Sequence, residues 1–220
     1  STSDLVVRSG GVVNLGTAAH DFNTIAITTG ATASAVTVND TNALTIGTVD
    51  TLNGIATGAG QIDVVAGGAL DVAHQVTNTT TSDINLSGVG VDLSTANSDV
   101  TTTGGTGNIT IDANTGNFNM FAGSTVITTT NDITISADSA SLAGQVQTTS
   151  ATGDIKIAAD TAGTAINLGS GAAAGLALTD AELNTLEANN VRIGTVAGAP
   201  YAGATSGAIT WVGAFAADAA

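Results

Sequence analysis

Residues 107–111 read Gly-Asn-Ile-Thr-Ile, and this five-residue unit returns at nearly constant intervals along the chain. Its copies are 60–64 (Gly-Gln-Ile-Asp-Val), 82–86 (Ser-Asp-Ile-Asn-Leu), 131–135 (Asn-Asp-Ile-Thr-Ile) and 153–157 (Gly-Asp-Ile-Lys-Ile). The central isoleucines are 22, 25, 24 and 22 positions apart. A supersecondary unit repeated at this spacing is typical of a solenoid, in which each copy forms one turn of a coil.

Two further sets of apolar residues follow the same period. The second set comes 7 to 11 residues after the first and consists of Leu70, Val91, Phe118, Leu142 and Ile166. The third set consists of Val76, Val100, Val126 and Val146. Apolar and polar residues alternate in each unit, as in strands, and Gly, Asn, Asp, Ser and Thr suit the turns between them. The pattern predicts an all-β fold, a parallel β-helix with about three short strands per turn of 20–26 residues.

The period of two assigns side chains to the inside and the outside of the coil, because successive side chains of a strand point to opposite faces. We expect Ile109, Ile133 and Ile155 to stack inward on adjacent rungs, and Thr134 and Lys156 to point to water. About nine turns, each rising by one strand spacing, predict a rod roughly 40 Å long.

The chain is expected to form one domain, 1–220, in four parts. Residues 1–58 are irregular early coils, 59–170 are regular coils, 171–190 are a loop and a short helix, and 191–220 are terminal strands with a possible subunit contact. The helix is predicted over 176–187. Thr179 is its expected N-cap, and Glu182, three positions later, completes a capping box.

The composition excludes several classes of function. Eighteen acidic residues stand against three basic ones, Arg8, Lys156 and Arg192, for a net charge of −15. This charge argues against binding nucleic acid or anionic lipid. No stretch approaches the roughly 20 apolar residues of a membrane span, so membrane insertion is not expected. The chain has no cysteine and no evident signal peptide, which is consistent with a processed protein or a piece of a longer one.

The repeat units resemble those of the large secreted, filamentous-haemagglutinin-like adhesins of Gram-negative bacteria. The similarity covers about residues 60–212 and includes Leu-Thr-Asp-Ala-Glu-Leu at 178–183 and Val-Arg-Ile-Gly at 191–194. It implies a right-handed parallel β-helix located outside the cell or on its surface. It also implies a role as an adhesin or as a stalk, with glycans as a possible ligand.

Parts of the sequence bear on three functions other than a structural one: catalysis, ice binding and calcium binding. An enzyme acting on polysaccharides needs paired carboxylates, which are scattered in this chain, so no catalytic residue is predicted. An ice-binding array of threonines on the third face begins at Thr77 and Thr101 but is interrupted at Ile127 and Gln147. Calcium is the only cofactor considered. Asp83, Asp132 and Asp154 occupy equivalent turn positions, and stacked carboxylates repel unless a cation lies between them.

The leading hypothesis is an extracellular structural protein whose ends associate with copies of itself, head to tail. A solenoid exposes unpaired strand edges at both ends unless polar repeats cap them, and neither end of this sequence is polar. The predicted assembly residues are Leu5, Val7, Val13 and Leu15 at the start, and Ile209, Trp211, Val212 and Phe215 at the other end. A contact between different ends of successive copies is open, so it produces a fibre. The alternative is a stalk segment of a larger adhesin.

Overall fold

The computed structural model is a parallel β-helix, which confirms the fold class predicted from the repeat. It describes residues 3–30, 34–172, 174–194 and 207–212. Nearly all of its regular structure is β-strand, and the repeating coils have three faces joined by short corners. The recurring isoleucine units form the first face and the Val76 set forms the third. Leu70, Val91 and Phe118 stack on the second face as predicted, but Ala140 pairs with Phe118 there and Leu142 pairs with Met120.

The first face is an eight-stranded parallel sheet. Its strands, in spatial order, are β2 (Val13–His20), β4 (Val36–Asp40), β9 (Ile62–Ala66), β12 (Ile84–Ser87), β15 (Ile109–Asp112), β18 (Ile133–Ser136), β21 (Asp154–Ala158) and β25 (Asn190–Ile193). Eight strands have seven spacings of about 4.8 Å, or roughly 34 Å in all. The prediction of nine turns was therefore too high, in part because the last turn of this face, from Asp154 to Asn190, takes 36 residues.

The second and third faces belong to one thirteen-stranded sheet. The second face contains β5 (Leu44–Ile46), β10 (Leu70–Val72), β13 (Val91–Leu93), β16 (Asn117–Met120) and β19 (Ser139–Leu142). The third contains β8 (Ile55–Thr57), β11 (Val76–Asn78), β14 (Val100–Thr102), β17 (Thr125–Thr128), β20 (Gln145–Thr148) and β24 (Leu186–Glu187). The two faces meet at β3 (Phe22–Thr29), which pairs with both β5 and β8.

The core consists of columns of aliphatic side chains that run along the solenoid. On the first face one column follows the strand register from Val13 to Val191 and passes through Ile109, Ile133 and Ile155. Ile133 is fully buried, and Thr134 next to it is partly exposed. The inward and outward assignment made from the period of two is confirmed.

A second, polar column lies inside the corner between the third and first faces. Its members are stacked in register and at most 5% exposed: Thr57, Asn78, Thr102, Thr128 and Thr148. Each side chain donates to a carbonyl of the turn that leads to the first face; Thr57 donates to Gly60 at 2.8 Å and Thr128 to Gly107 at 3.0 Å. These bonds satisfy the side-chain donors of the column and fix the direction of the corner, whereas the buried Oδ1 atom of Asn78 has no hydrogen-bond partner among the described residues.

The first coils use long strands. β1 (Ser3–Ser9) pairs with β3 along its whole length, and each strand spans the second and third faces without a corner. The third coil departs from them with a small antiparallel hairpin, β6 (Thr48–Val49) and β7 (Leu52–Asn53). Its tip turns back toward the first coil, where Asp50 forms an ion pair of 3.2 Å with Arg8.

The tip of this hairpin holds two residues in left-handed backbone conformations, Asp50 at φ 45° and Thr51 at φ 63°. A β-branched residue is strained there, and such tight turns favour glycine at this position. We expect Thr51→Gly to increase the free energy of unfolding by about 0.5–1 kcal/mol, because the relief exceeds the added entropy of the unfolded chain. Urea titration followed by circular dichroism measures this. Thr48→Gly, in the adjoining strand, is the control and should be destabilising; a loss of stability for both variants would contradict the assignment of strain.

The solenoid becomes irregular after β21. The chain forms β22 (Ile166–Leu168), turns back through seven residues, and forms β23 (Leu176–Leu178), which pairs with β22 in parallel. β23 contacts β19, and β26 (Ile209–Trp211) pairs with the other edge of β22. This excursion lengthens the last turn of the first face to 36 residues, from Asp154 to Asn190. Ile166 is therefore separated from Leu142 by β23 and does not stack on it as the spacing predicted.

The predicted helix is present but shorter. It covers Asp180–Leu183, and the flanking parts of the predicted range form β23 and β24. Thr179 is the N-cap, and Glu182 completes the capping box, as predicted. The Glu182 carboxylate also accepts the Leu142 backbone N–H at 3.0 Å. The helix therefore replaces the corner between the second and third faces in this coil.

Candidate functional site

The three predicted aspartates lie in one line along the entry to the first face. Asp83 accepts the backbone N–H of Asn108 at 2.7 Å, and Asp132 accepts that of Asp154 at 2.9 Å. Asn108 holds the intervening rung and accepts the N–H of Asp132 at 3.3 Å. Each side chain thus binds the peptide group one rung further along. The line connects successive coils, in addition to the ladder between the strands.

Two of the three cations of the chain neutralise this line. The Lys156 ammonium lies 2.6 Å from the Asp132 carboxylate, and an Arg192 guanidinium nitrogen lies 2.9 Å from Asp154. Lys156 and Arg192 stand at paired positions on neighbouring strands and point outward, as the period of two predicted for Lys156. Side chains of the protein therefore supply the positive charge that stacked aspartates require. Calcium at Asp83, Asp132 and Asp154 stays a prediction, and two of its three ligands already have a cationic partner.

A shallow groove of about 340 Å³ runs beside these charges on the first face. Its walls are polar, and it is lined by Asp83, Asn85, Asn108, Thr110, Asp132, Thr134 and Lys156. Asn85 donates to Asp63 at 2.6 Å, and Lys156 holds Asp132, so part of the polar surface is already used within the protein. The groove offers hydroxyl, amide and carboxylate groups but no aromatic side chain.

A second group of aspartates lies at the corner between the first and second faces. Burial raises the pKa of Asp112, and the nearby charge of Asp160 raises it further, against the opposing effect of a hydrogen bond from the Asn114 N–H. Burial likewise raises the pKa of Asp160, followed by the charge of Asp138. Asp138 itself accepts the backbone N–H of Thr161 at 2.7 Å. This corner carries negative charge with no neighbouring cation in the described part of the chain.

The titration of Asp112 and Asp154 should affect stability in opposite directions. A carboxyl whose pKa is raised by folding favours the folded state below its unfolded pKa, near 3.8, and loses that effect as the pH rises through the folded value. Asp112→Asn should therefore stabilise the protein at pH 7 by a fraction of a kcal/mol and leave it unchanged at pH 3. Thermal melts at the two pH values measure this.

The control is Asp154→Asn. A hydrogen bond from Asn190 and the charges of Arg192 and Lys156 lower the pKa of Asp154, although the residue is only 8% exposed. Its ionised form stabilises the fold above the unfolded pKa, and this contribution is lost as the pH falls through the folded value. The Asp154→Asn variant should lose stability at pH 7. Equal effects of the two substitutions at pH 7 would contradict these assignments.

The N-terminal end of the solenoid consists of two open strand edges. β1 pairs only with β3, and β2 pairs only with β4, among the strands that the structure describes. Leu5, Val7 and Leu15 are half-buried against the core, and Val13 is 7% exposed. The four residues predicted for assembly at this end therefore belong to the first coil, where their backbone faces outward along the solenoid axis.

The C-terminal end is only partly described. Ile209, on β26, is 53% exposed, and Val212 donates its backbone N–H to Leu168 at 2.6 Å. Trp211 lies in β26 and pairs with Leu168. Phe215 falls outside the described residues. Val191 ends the column of isoleucines and is 41% exposed, but it was not among the predicted assembly residues. The available signal was the unit Val-Arg-Ile at 191–193, which repeats the pattern of Ile-Lys-Ile at 155–157.

The two histidines lie in different surroundings. The His20 ring stacks on Phe22 with centroids 5.1 Å apart, and His74 lines a polar depression with Asn97 and Asp99. Within residues 3–30, 34–172, 174–194 and 207–212, no three His, Cys, Asp or Glu side chains are grouped so as to hold a metal ion. The part of the chain that the structure covers contains no helix long and apolar enough to cross a membrane.

No protein-family model, no curated protein and no solved structure matches this chain.

Proposed function

We propose that this chain is an extracellular structural protein, a β-solenoid unit of a surface filament that associates end to end with copies of itself. The observation that supports the proposal is that β1 and β2, the outermost of the described strands at this end, each pair with one described strand alone. From Asp4 to Ser9 in β1 and from Val13 to His20 in β2, the outer backbone edge lies next to apolar side chains and pairs with none of the described strands. Natural proteins cover or shorten such edges unless another strand is added to them.

The charge of the chain is consistent with end contacts and not with side contacts. Most of the eighteen acidic residues lie along the sides of the solenoid, on its faces and corners, and they repel rods that approach side by side. Two of the three cations, Arg8 and Arg192, lie on strands at opposite ends of the solenoid. Repulsion between copies is therefore expected to be weaker at the ends than along the sides, and the head-to-tail order stays a prediction of the sequence.

Light scattering on the purified chain tests association directly. We expect a mass that grows with protein concentration, and electron micrographs that show thin rods longer than one solenoid. A monomer of 21.1 kDa at high concentration would sink the proposal.

The groove on the first face supports a second candidate, a stalk that binds a glycan. Its hydroxyl, amide and carboxylate groups are of the kind that bind sugar hydroxyls, although no aromatic platform accompanies them. Binding to a glycan panel, compared with Thr134→Asp in the groove wall, tests this. Equal binding by both proteins, or none by either, would remove the groove from consideration.

A further inference from the structure

We propose that a calcium ion binds at the corner between the first and second faces, held by the carboxylates of Asp112 and Asp160 and by the hydroxyl of Ser136. None of these residues belongs to the line of aspartates at the entry to the first face. The inference goes beyond the proposed function and does not depend on it, because the three oxygen donors lie on the side of the solenoid and not at an end.

The corner places the three donors on consecutive coils. Asp112 and Ser136 are the last residues of β15 and β18 and pair in register, and Ser136 pairs in turn with Ala158, the last residue of β21. Asp160 follows Ala158 by two positions, as Asp138 follows Ser136. The coils that carry the two carboxylates are therefore two strand spacings apart, or about 9.6 Å. Side chains from both coils can meet above the middle one, which carries the hydroxyl.

The Ser136 hydroxyl is a buried polar group without a partner. The residue is 1% exposed, and its Oγ atom forms no hydrogen bond within the described residues. It stands two positions after Thr134, on the outer side of the same strand. The chain that follows β21 lies near it, since Thr161 donates its backbone N–H to Asp138 at 2.7 Å. Because burial of an unpaired hydroxyl is unfavourable, a polar ligand at this position would stabilise the corner.

The neighbouring charges favour a cation as that ligand. Burial and the charge of Asp138 raise the pKa of Asp160, and the Ser136 hydroxyl opposes them without completing a hydrogen bond. Asp112 is also held partly out of water, and the charge of Asp160 acts on it. Each of the three basic side chains of the protein is paired with an aspartate outside this corner. A cation would relieve the repulsion between the carboxylates, which a water molecule would leave in place.

The donor set fits calcium better than magnesium. Calcium accepts six to eight oxygen ligands in a flexible geometry, whereas magnesium requires a near-ideal octahedron and gives up its water reluctantly. The corner offers the Asp160 carboxylate, the Ser136 hydroxyl and the second oxygen of Asp112, whose Oδ1 accepts the Asn114 N–H at 2.9 Å. Water completes the shell. Two carboxylates predict a dissociation constant of about 10⁻⁴–10⁻³ M, as in extracellular calcium modules.

Calcium binding is measured on the purified chain by isothermal titration calorimetry and by thermal denaturation. The buffer contains about 0.15 M salt, which screens the general attraction of cations to an acidic surface. We expect one calcium per chain, and a melting temperature that rises with calcium and rises much less with magnesium. Asp160→Asn should raise the dissociation constant at least tenfold. Ser136→Ala should raise it severalfold without destabilising the calcium-free protein, because it removes an unpaired buried hydroxyl.

Asp112→Asn gives the sharpest comparison, since its effect on stability should change sign. In a chelator at pH 7 the variant should melt above the wild type, because it removes a partly buried charge. In saturating calcium it should melt below the wild type, because it has lost a ligand. The matched control is Asp83→Asn, which makes the same change of charge in the line at the entry to the first face. It should leave the dissociation constant for calcium unchanged.

Four results would overturn the site. They are no calcium binding by the wild type, an equal rise in melting temperature with magnesium, a dissociation constant that Asp160→Asn and Ser136→Ala leave unchanged, and calcium binding that Asp83→Asn abolishes. The second would mean that divalent cations only screen the acidic surface. The last would place the ion on the line of aspartates at the entry to the first face. None of them bears on end-to-end association, which light scattering tests separately.

Discussion

Ile133→Asp should unfold much of the solenoid at temperatures where the wild type is stable. Ile133 is fully buried in the aliphatic column between Ile109 and Ile155, with no polar partner for a carboxylate. Burying an unpaired charge in such a column costs more than about 4 kcal/mol, which is a large part of the stability of a domain. Thermal denaturation followed by circular dichroism, with the size of the protein checked at each temperature, measures the loss.

The matched control is one residue away. Thr134 points outward on the same strand, and its neighbour in the ladder is Lys156, so Thr134→Asp adds a charge that water and a cation both accommodate. We expect a change within about 0.5 kcal/mol. Equal melting temperatures for Ile133→Asp and Thr134→Asp would mean that the inward and outward positions of this face are wrongly assigned.

The contrast between Ile133 and Thr134 could be predicted from the sequence because two periods act together. The period of two sets which side chains are inside, and the spacing of 22 to 25 residues sets which ones stack. Neither depends on the length of a particular corner. Ile62, Ile84, Ile109, Ile133 and Ile155 are accordingly found in one column, in the predicted order.

The parts that the sequence did not predict are those where corners change length or disappear. β1 and β3 pass straight through a corner, and a run of seven or eight strand-forming residues has the same local pattern with a corner or without one. The excursion that forms β22 and β23 returns through seven residues, although parallel strands are usually joined by a dozen or more. Local periodicity does not reveal that the chain turns back between β22 and β23, because the alternation within β22 is also that of an ordinary second-face strand.

The candidate site, too, could be predicted from the repeat only in part. The turn positions of Asp83, Asp132 and Asp154 could be read from the repeat, and so could the outward direction of Lys156. Their pairing could not, because each cation binds the carboxylate one rung back, at a diagonal position. The buried polar column was also missed. Its signal was the polar residue two positions after the valine of four third-face strands, as at Asn78 and Thr102, which the period of two directs inward.

Gly107→Ala should have the second large effect, for a reason that lies in the backbone. A Cβ at Gly107 would lie 2.3 Å from the carbonyl oxygen of Ser82, in the coil below, so one of the two backbones would have to shift. The Gly107 carbonyl also accepts the Thr128 hydroxyl at 3.0 Å, so a displaced corner would leave a buried polar group unpaired. We expect a loss of about 2–3 kcal/mol in the free energy of unfolding, measured by urea titration.

Gly11→Ala is the control for this substitution, since a Cβ at Gly11 meets no atom within 4 Å. It should be neutral or slightly stabilising, because alanine reduces the entropy of the unfolded chain. The comparison separates the cost of the contact from that of losing a glycine. Equal stability of Gly107→Ala and Gly11→Ala would mean that the coils can separate at this corner at little cost. The hydrogen bonds of the polar column, and not the close approach of the backbones, would then set the spacing of successive turns there.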